Sequence, residues 1–128
     1  MKKIQIVFLG LTVLSALAIT ISSCGAKENQ APVIDIEEPA DNATVTLPDS
    51  LHIEFTATDD ESLHEMSVLI IQSTGDTVFR QYPMVHDLKT YTFHAHFPPA
   101  STGSYTLQVT AEDHDSESSS ASRSFTVN

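Results

Sequence analysis

Hydrophobic and polar residues alternate with a period of two through most of the chain after residue 30, and no segment there has a convincing helical period. In residues 51–58, 90–97 and 105–111, apolar side chains occupy every second position and polar side chains occupy the others. This alternation places apolar groups on one face of a strand and polar groups on the other, as a half-buried antiparallel sheet requires. We therefore expect three strands in these segments.

Four more strands are predicted at 33–37, 63–72, 77–82 and 123–127. A Ser-Thr-Gly-Asp turn joins the second and third of these into a hairpin. The serine-rich residues 116–124 predict a mobile hairpin tip or a flexible edge. Seven short strands within about 100 residues predict an all-β fold, a seven-stranded immunoglobulin-like antiparallel β-sandwich.

Residues 1–23 have the layout of a secretory signal peptide. A basic start at Lys2 and Lys3 precedes a helix-forming apolar stretch from Ile4 to Ile21. The alternative is a membrane-spanning helix, because such a stretch is just long enough to cross a bilayer. The residues that follow favour the signal peptide.

The sequence Ile-Ser-Ser-Cys at 21–24 resembles the lipobox of bacterial lipoproteins. The resemblance implies cleavage before Cys24, diacylglycerol on the Cys24 sulfur and acylation of the new amine, a stable anchor because several acyl chains act together. Cys24 is the only cysteine, so it has no partner for an internal disulfide and is interpreted as an anchor rather than a nucleophile. Residues 24–30 then form the lipidated cysteine and a short tether, and residues 31–128 form the domain. We expect a cell-envelope protein at the outer membrane, on either its periplasmic or its surface face.

The charge of the chain argues against nucleic acid as a partner. The formal net charge is −11, and it becomes −13 for residues 24–128 because Lys2 and Lys3 belong to the leader. A body this acidic repels phosphate backbones and anionic lipid headgroups. The expected contact with the membrane is therefore the lipid anchor.

Four segments of residues 31–128 resemble bacterial Ig-like domains. Ala-Pro-Val-Ile at 31–34 is similar to their first strand, and Phe-Thr-Ala-Thr-Asp-Asp at 55–60 to their second strand and its acidic exit. Residues 103–115 are similar to their penultimate strand with its Asp-rich turn, and Ser-Phe-Thr-Val at 124–127 to their last strand. The last turn departs from the family, which often has Asp-Gly or Gly-Asn where this chain has Asp-Ser-Glu. The resemblance extends to small Ig-like lipoproteins and implies the fold, but the fold by itself implies no activity.

Two acidic loops are candidate ligands for calcium. Asp59, Asp60 and Glu61 leave the second of the main strands, and Asp113 and Asp115 leave the sixth. In immunoglobulin topology these loops lie at the same end of the sandwich, where the tether also enters, and carboxylate oxygens are the ligands that Ca²⁺ prefers. The resemblance adds that some bacterial Ig-like and cadherin-like domains bind calcium between such loops. The alternative is that these acids are solvated turn residues, for which aspartate is favoured by its local hydrogen bonds.

Histidines form the second candidate site. His94 and His96 are two positions apart on one strand, so both point away from its core face, and His86 lies eight residues before His94. Two or three neutral imidazoles can hold Zn²⁺ or Cu²⁺. The alternative is an ordinary polar strand face, because nothing in the sequence fixes the number of ligands. His64 and His114 are expected near the acidic loops and can instead pair with their carboxylates.

The sequence carries no familiar catalytic motif: it lacks a Gly-x-Ser-x-Gly elbow, a glycine-rich phosphate loop and a His-Glu-x-x-His helix. A cleft is also hard to build from one small sandwich with short loops, so we expect that the protein is not an enzyme. The preferred hypothesis is a lipid-anchored binding or accessory module that presents loops or a strand edge to an envelope protein or a glycan near the membrane. The alternative is a metal-holding lipoprotein that uses the acidic loops for calcium, or His86, His94 and His96 for zinc or copper.

Overall fold

The computed structural model describes Gly25 and residues 27–128. The predicted signal peptide, Cys24 and Ala26 lie outside the described residues. In the part of the chain that is described, no helix has the length and apolar character that crossing a bilayer requires.

Two packed sheets contain the eight strands of the described residues and confirm the all-β immunoglobulin-like sandwich. The strands are β1 Val33–Glu38, β2 Ala43–Val45, β3 Leu51–Thr58, β4 Leu63–Gln72, β5 Thr77–Gln81, β6 Thr90–Phe97, β7 Gly103–Asp113 and β8 Ser118–Val127. One sheet has the order β1-β3-β6 and the other the order β2-β8-β7-β4-β5. The pairings are antiparallel except that of β2 with β8, which is parallel.

The structure corrects the predicted strand count and the interpretation of the serine-rich segment. The seven predicted strands are present, but Ala43–Val45 forms an eighth strand of three residues, too short to show a period of two. Of this segment, only residues 116 and 117 lie in the hairpin turn. Residues 118–124 belong to β8, which pairs with β7 from Ser118 to Val127, and they form an edge of the sheet because β2 pairs only with residues 125–127. A strand ladder is made by backbone groups, so a run of serines can extend a sheet without apolar side chains.

The core lies between the two sheets. Phe55 of one sheet and Leu107 of the other are both completely buried. The Tyr105 ring stacks on Phe125 with centroids 5.3 Å apart, and its hydroxyl donates a hydrogen bond of 2.7 Å to the carbonyl oxygen of Ser101. This bond resembles the tyrosine corner of immunoglobulin sandwiches and fixes the start of β7.

Three connections and the tether meet at one end of the sandwich, which we call the tether end. It consists of residues 59–62 between β3 and β4, 82–89 between β5 and β6, 114–117 between β7 and β8, and 27–30 of the tether. The amide of Leu63, the first residue of β4, donates to the carbonyl of Leu88 (2.7 Å), which joins the start of β4 to the second connection. Leu63 also pairs with Asp113 in the sheet, so the third connection is adjacent. The structure therefore brings the two acidic loops and the tether together, as the topology predicts.

Candidate metal centre

Three histidines from separate segments, one at the start of a strand and two in connections, converge at the tether end. His64 stands near the start of β4, His86 lies between β5 and β6, and His114 lies between β7 and β8. Each of them offers a ring nitrogen, and these three atoms lie within 4.8 Å of one another. The Nδ1 atoms of His64 and His86 are 3.1 Å apart, and the His114 ring centroid is 4.6 Å from both of the other centroids. We call this group the histidine cluster.

The Asp87 carboxylate contacts two of the three imidazoles of the histidine cluster. One of its carboxylate oxygens is 3.1 Å from Nε2 of His114, and the other is 3.5 Å from Nε2 of His86. His86 therefore faces His64 with Nδ1 and faces a carboxylate with Nε2. A metal-ligating imidazole has this arrangement, because a carboxylate on the far nitrogen fixes its orientation and raises its basicity.

The backbone holds His86 and Asp87 in place. Asp87 adopts a left-handed conformation with φ of 66°, which aspartate tolerates better than most residues. Its amide donates to the carbonyl of Leu63 (3.1 Å), and the amide of Leu88 donates to the carbonyl of Val85 (3.0 Å). Val85 is 1% exposed and anchors the connection in the core. The cluster thus rests on a loop with a defined conformation.

The histidine cluster is open to solvent and borders an apolar groove. His64 is half-buried, whereas His86 and His114 are exposed. The groove has a volume of about 330 Å³ and is lined by His64 and His86 together with Tyr82 and Met84. Tyr82 and Met84 are 67% and 92% exposed. Both side chains therefore form an exposed apolar rim beside the histidine cluster.

The structure groups the histidines differently from the prediction. His86 belongs to the histidine cluster, because its connection folds back onto the start of β4. His94 and His96 lie in the middle of β6, where they pair with Glu54 and His52 across the sheet. The expected trio of His86, His94 and His96 therefore does not form one site. The outward orientation predicted for His94 and His96 is correct, since both are exposed.

The sequence does not group His64 and His114 with His86. It predicts that both lie near the acidic loops and can pair with their carboxylates, whereas in the structure His64 contacts His86 and His114 contacts Asp87. The sequence positions of His64 and His114 could have indicated that they lie close together, because they follow Leu63 and Asp113, which pair across β4 and β7. Only the fold of the β5–β6 connection shows that His86 joins them.

Asp113 is the most buried acid of the predicted calcium site, and the chain itself supplies its hydrogen-bond donors. One carboxylate oxygen accepts from the amides of Asp115 (2.8 Å) and Glu117 (2.9 Å), and the other accepts from the side-chain amide of Asn29 (2.6 Å). Burial alone raises the pKa of Asp113, but the hydrogen bonds from Asn29, Glu117 and Asp115 outweigh it, so the pKa is lowered overall.

Asp60 is paired with the tether. The Lys27 ammonium lies 2.9 Å from its carboxylate; this hydrogen bond and the opposite charge lower the pKa of Asp60 and raise that of Lys27. Two oxygens nearby, Oδ1 of Asn29 and Oδ1 of Asp59, are buried and have no hydrogen-bond partner among the described residues. Glu61 and Asp115 are exposed. The acids therefore hold the tether and leave a few oxygens for a cation.

A sequence profile of the bacterial Ig domain family matches residues 32–109, more than half of the chain. The chain belongs to this family. The match runs from the residue before β1 into β7 and so includes most strands of this bacterial Ig domain. No curated protein matches the sequence.

Solved structures with a similar fold include the CARDB domain of a Pyrococcus furiosus protein, whose crystal structure is in complex with di-metal ions. It is 11% identical, with a TM-score of 0.55, and the alignment covers 79% of this chain and 90% of that one. CopC from Methylosinus trichosporium OB3b is 19% identical, with a TM-score of 0.50 and coverage of 77% and 92%. An engineered protein is 20% identical with a TM-score of 0.57; the alignment covers 79% of this chain but spans only 21% of that protein. At these identities the likeness shows the fold alone.

Proposed function

We propose that this bacterial Ig domain binds a divalent transition-metal ion, Zn²⁺ or Cu²⁺, through His64, His86 and His114. The observation that carries the proposal is the convergence of three imidazoles, one from the start of β4 and two from connections, with ring nitrogens within 4.8 Å of one another. Imidazole nitrogen suits both metals, and three protein ligands with an open fourth position are typical of sites that exchange a ligand. The di-metal complex of the similarly folded CARDB domain supports the idea that such a sandwich can carry metal.

The setting of the histidine cluster favours capture and exchange of the ion. Two of the three imidazoles are exposed, so an incoming ion and a fourth ligand reach them from solvent. The charge of −13 on residues 24–128 attracts cations to the surface. The groove beside Tyr82 and Met84 gives an envelope protein or a glycan a place to dock next to the metal. The inferred role is therefore binding and presentation of an ion rather than catalysis.

The proposed lipid anchor holds this site close to a membrane. Lys27 and Asn29 contact Asp60 and Asp113, so the chain is already attached to the domain three residues after Cys24. Three residues extend at most about 11 Å. With Cys24 lipidated, the tether end and its histidine cluster face the lipid surface, which we place at the outer membrane of the cell envelope.

A metal titration of the full-length chain, purified in detergent, tests the proposal. We expect the histidine cluster to bind Zn²⁺ and Cu²⁺. We expect His86→Gln to raise the Kd of this site by about 100-fold, since losing a ligand costs at least as much as losing an outer-shell partner. Asp87→Asn should weaken it by about tenfold. His96→Gln removes an exposed imidazole outside the cluster and should leave the Kd of the histidine cluster unchanged. Equal effects of His86→Gln and His96→Gln, or no binding, would refute the proposal.

The unpaired oxygens beside the tether favour a second candidate function, calcium binding by the acidic loops. Oδ1 of Asp59 lies on a side chain that is only 9% exposed and has no donor among the described residues, and Ca²⁺ takes oxygen ligands. The Lys27 ammonium competes for the same carboxylates, so Lys27→Gln should strengthen calcium binding. At 100 times its Kd, calcium should stabilise the domain by about 2.7 kcal/mol. If calcium changes the melting temperature of neither the wild type nor Lys27→Gln, the acidic loops bind no calcium and only hold the tether.

A further inference from the structure

A second group of metal-ligating side chains stands on the outer face of the three-stranded sheet. The register of β3 and β6 places His52 opposite His96 and Glu54 opposite His94. The odd-numbered side chains of β3 are buried in the core, so the even-numbered His52 and Glu54 point outward with their partners on β6. None of these four residues belongs to the histidine cluster at the tether end.

The geometry of His52, Glu54 and His94 is close to that of a metal site. Oε2 of Glu54 lies 3.7 Å from Nδ1 of His94 and 3.9 Å from Nε2 of His52. The three ligand atoms lie within 4.8 Å of one another. In a tetrahedral site with bonds of about 2.0–2.1 Å, ligand atoms are about 3.3 Å apart. Small rotations of these solvent-accessible side chains bring them to that separation.

The rigidity of the sheet favours this arrangement over chance proximity. The His52 ring stacks on both His94 and His96, with centroids 6.1 Å and 5.0 Å away. The side chains of Glu54 and His94 project from directly paired backbone positions in a continuous ladder. Sites built on strands hold their ligands more precisely than sites built on loops.

We propose that His52, Glu54 and His94 form a second metal site, independent of the histidine cluster. Two imidazole nitrogens and one carboxylate oxygen suit Zn²⁺ or Cu²⁺, whereas Ca²⁺ prefers oxygen ligands throughout. Three protein ligands leave coordination positions open to water or to a ligand from another molecule. The domain then binds two ions, one at the tether end and one on the sheet face.

Copper titration of a full-length chain that carries His64→Gln and His86→Gln isolates the second site. We expect one Cu²⁺ to remain bound, with nitrogen hyperfine structure in its electron paramagnetic resonance spectrum. Glu54→Gln and His94→Gln, each added to this background, should raise the Kd by about tenfold or more. Glu37→Gln makes the same charge change at an exposed position of β1 in the same sheet and should alter the Kd by no more than about twofold.

The outcomes separate this inference from the proposed function. A double variant that binds no copper refutes the second site, as do equal effects of Glu54→Gln and Glu37→Gln or an unchanged Kd in His94→Gln. A wild-type chain with one equivalent that disappears in His86→Gln supports the histidine cluster and refutes the second site. A single equivalent that depends on Glu54 and not on His86 supports the second site and refutes the histidine cluster.

Discussion

Asp113 connects the tether to the turn that carries His114. Its side chain is 1% exposed and accepts hydrogen bonds from the side chain of Asn29 and from the amides of Asp115 and Glu117. A carboxylate can be buried at this depth only because donors surround it. At the scale of single residues, the tether is therefore attached through an ionised group, and its attachment depends on pH.

Replacing Asp113 with asparagine should lower the melting temperature at neutral pH, and the deficit should disappear in acid. The pKa of Asp113 is lowered in the folded state, so its contribution is present above the unfolded-state pKa of about 3.9 and is lost as the pH falls through the lower folded-state pKa. Melting curves of wild type and Asp113→Asn at pH values from about 7 to about 2 check this. Asp115→Asn removes an exposed acid from the same turn and should show almost no deficit. A deficit for Asp113→Asn that persists at the lowest pH would contradict the argument.

The serine-rich half of β8 is a regular part of its sheet. Ser124 turns its amide away from β7, toward the Asp41 carboxylate (3.1 Å). Because amides alternate in direction along a strand, the amide of Ala121 points toward β7, where it is paired with Val109. The Arg123 guanidinium donates to the carbonyl of Ile36 (3.2 Å) and links the strand to β1. This element therefore stabilises the fold despite its composition.

Ala121→Pro should destabilise the domain by about 1–3 kcal/mol, since proline removes a donor from the ladder with β7 and leaves its acceptor without a partner. Chemical denaturation gives the free energy of unfolding directly. Ala121→Ser keeps the amide and should cost less than about 1 kcal/mol. If proline were tolerated at this position, the segment would be the flexible tip that its serines suggest, and its place in β8 would be wrong.

The same elements show how far the sequence predicts the structure. A period of two locates seven strands to within a few residues, because alternation reports directly which face of a strand is buried. It does not detect β2, which is too short for a period, or the polar half of β8. The alternation also does not predict the histidine cluster, because the three histidines come from distant segments of the chain. The left-handed turn at Asp87 has no signal in the sequence. Likewise, the alternation in β6 indicates that His94 points outward. Only the register of β6 with β3 shows that Glu54 and His52 lie beside it.

At the scale of the whole molecule, most of the residues that can bind a ligand lie near the proposed anchor. The tether, both acidic loops and the histidine cluster share one end of the sandwich, while His52, Glu54 and His94 lie on the face of one sheet. A charge of −13 on residues 24–128 surrounds both groups and raises the local concentration of cations. We therefore propose an acidic Ig domain that concentrates metal ions and holds one of them beside the membrane.

An anomalous difference map from crystals of the metal-loaded protein, recorded at the zinc or copper edge, shows directly whether the histidine cluster holds an ion. We expect a peak about 2.0–2.1 Å from ring nitrogens of His64, His86 and His114, with Asp87 hydrogen-bonded to the ligating imidazoles. The peak should be absent from crystals of His86→Gln and retained in those of His96→Gln. A metal-loaded crystal with no anomalous density among these three histidines would refute the proposed metal site.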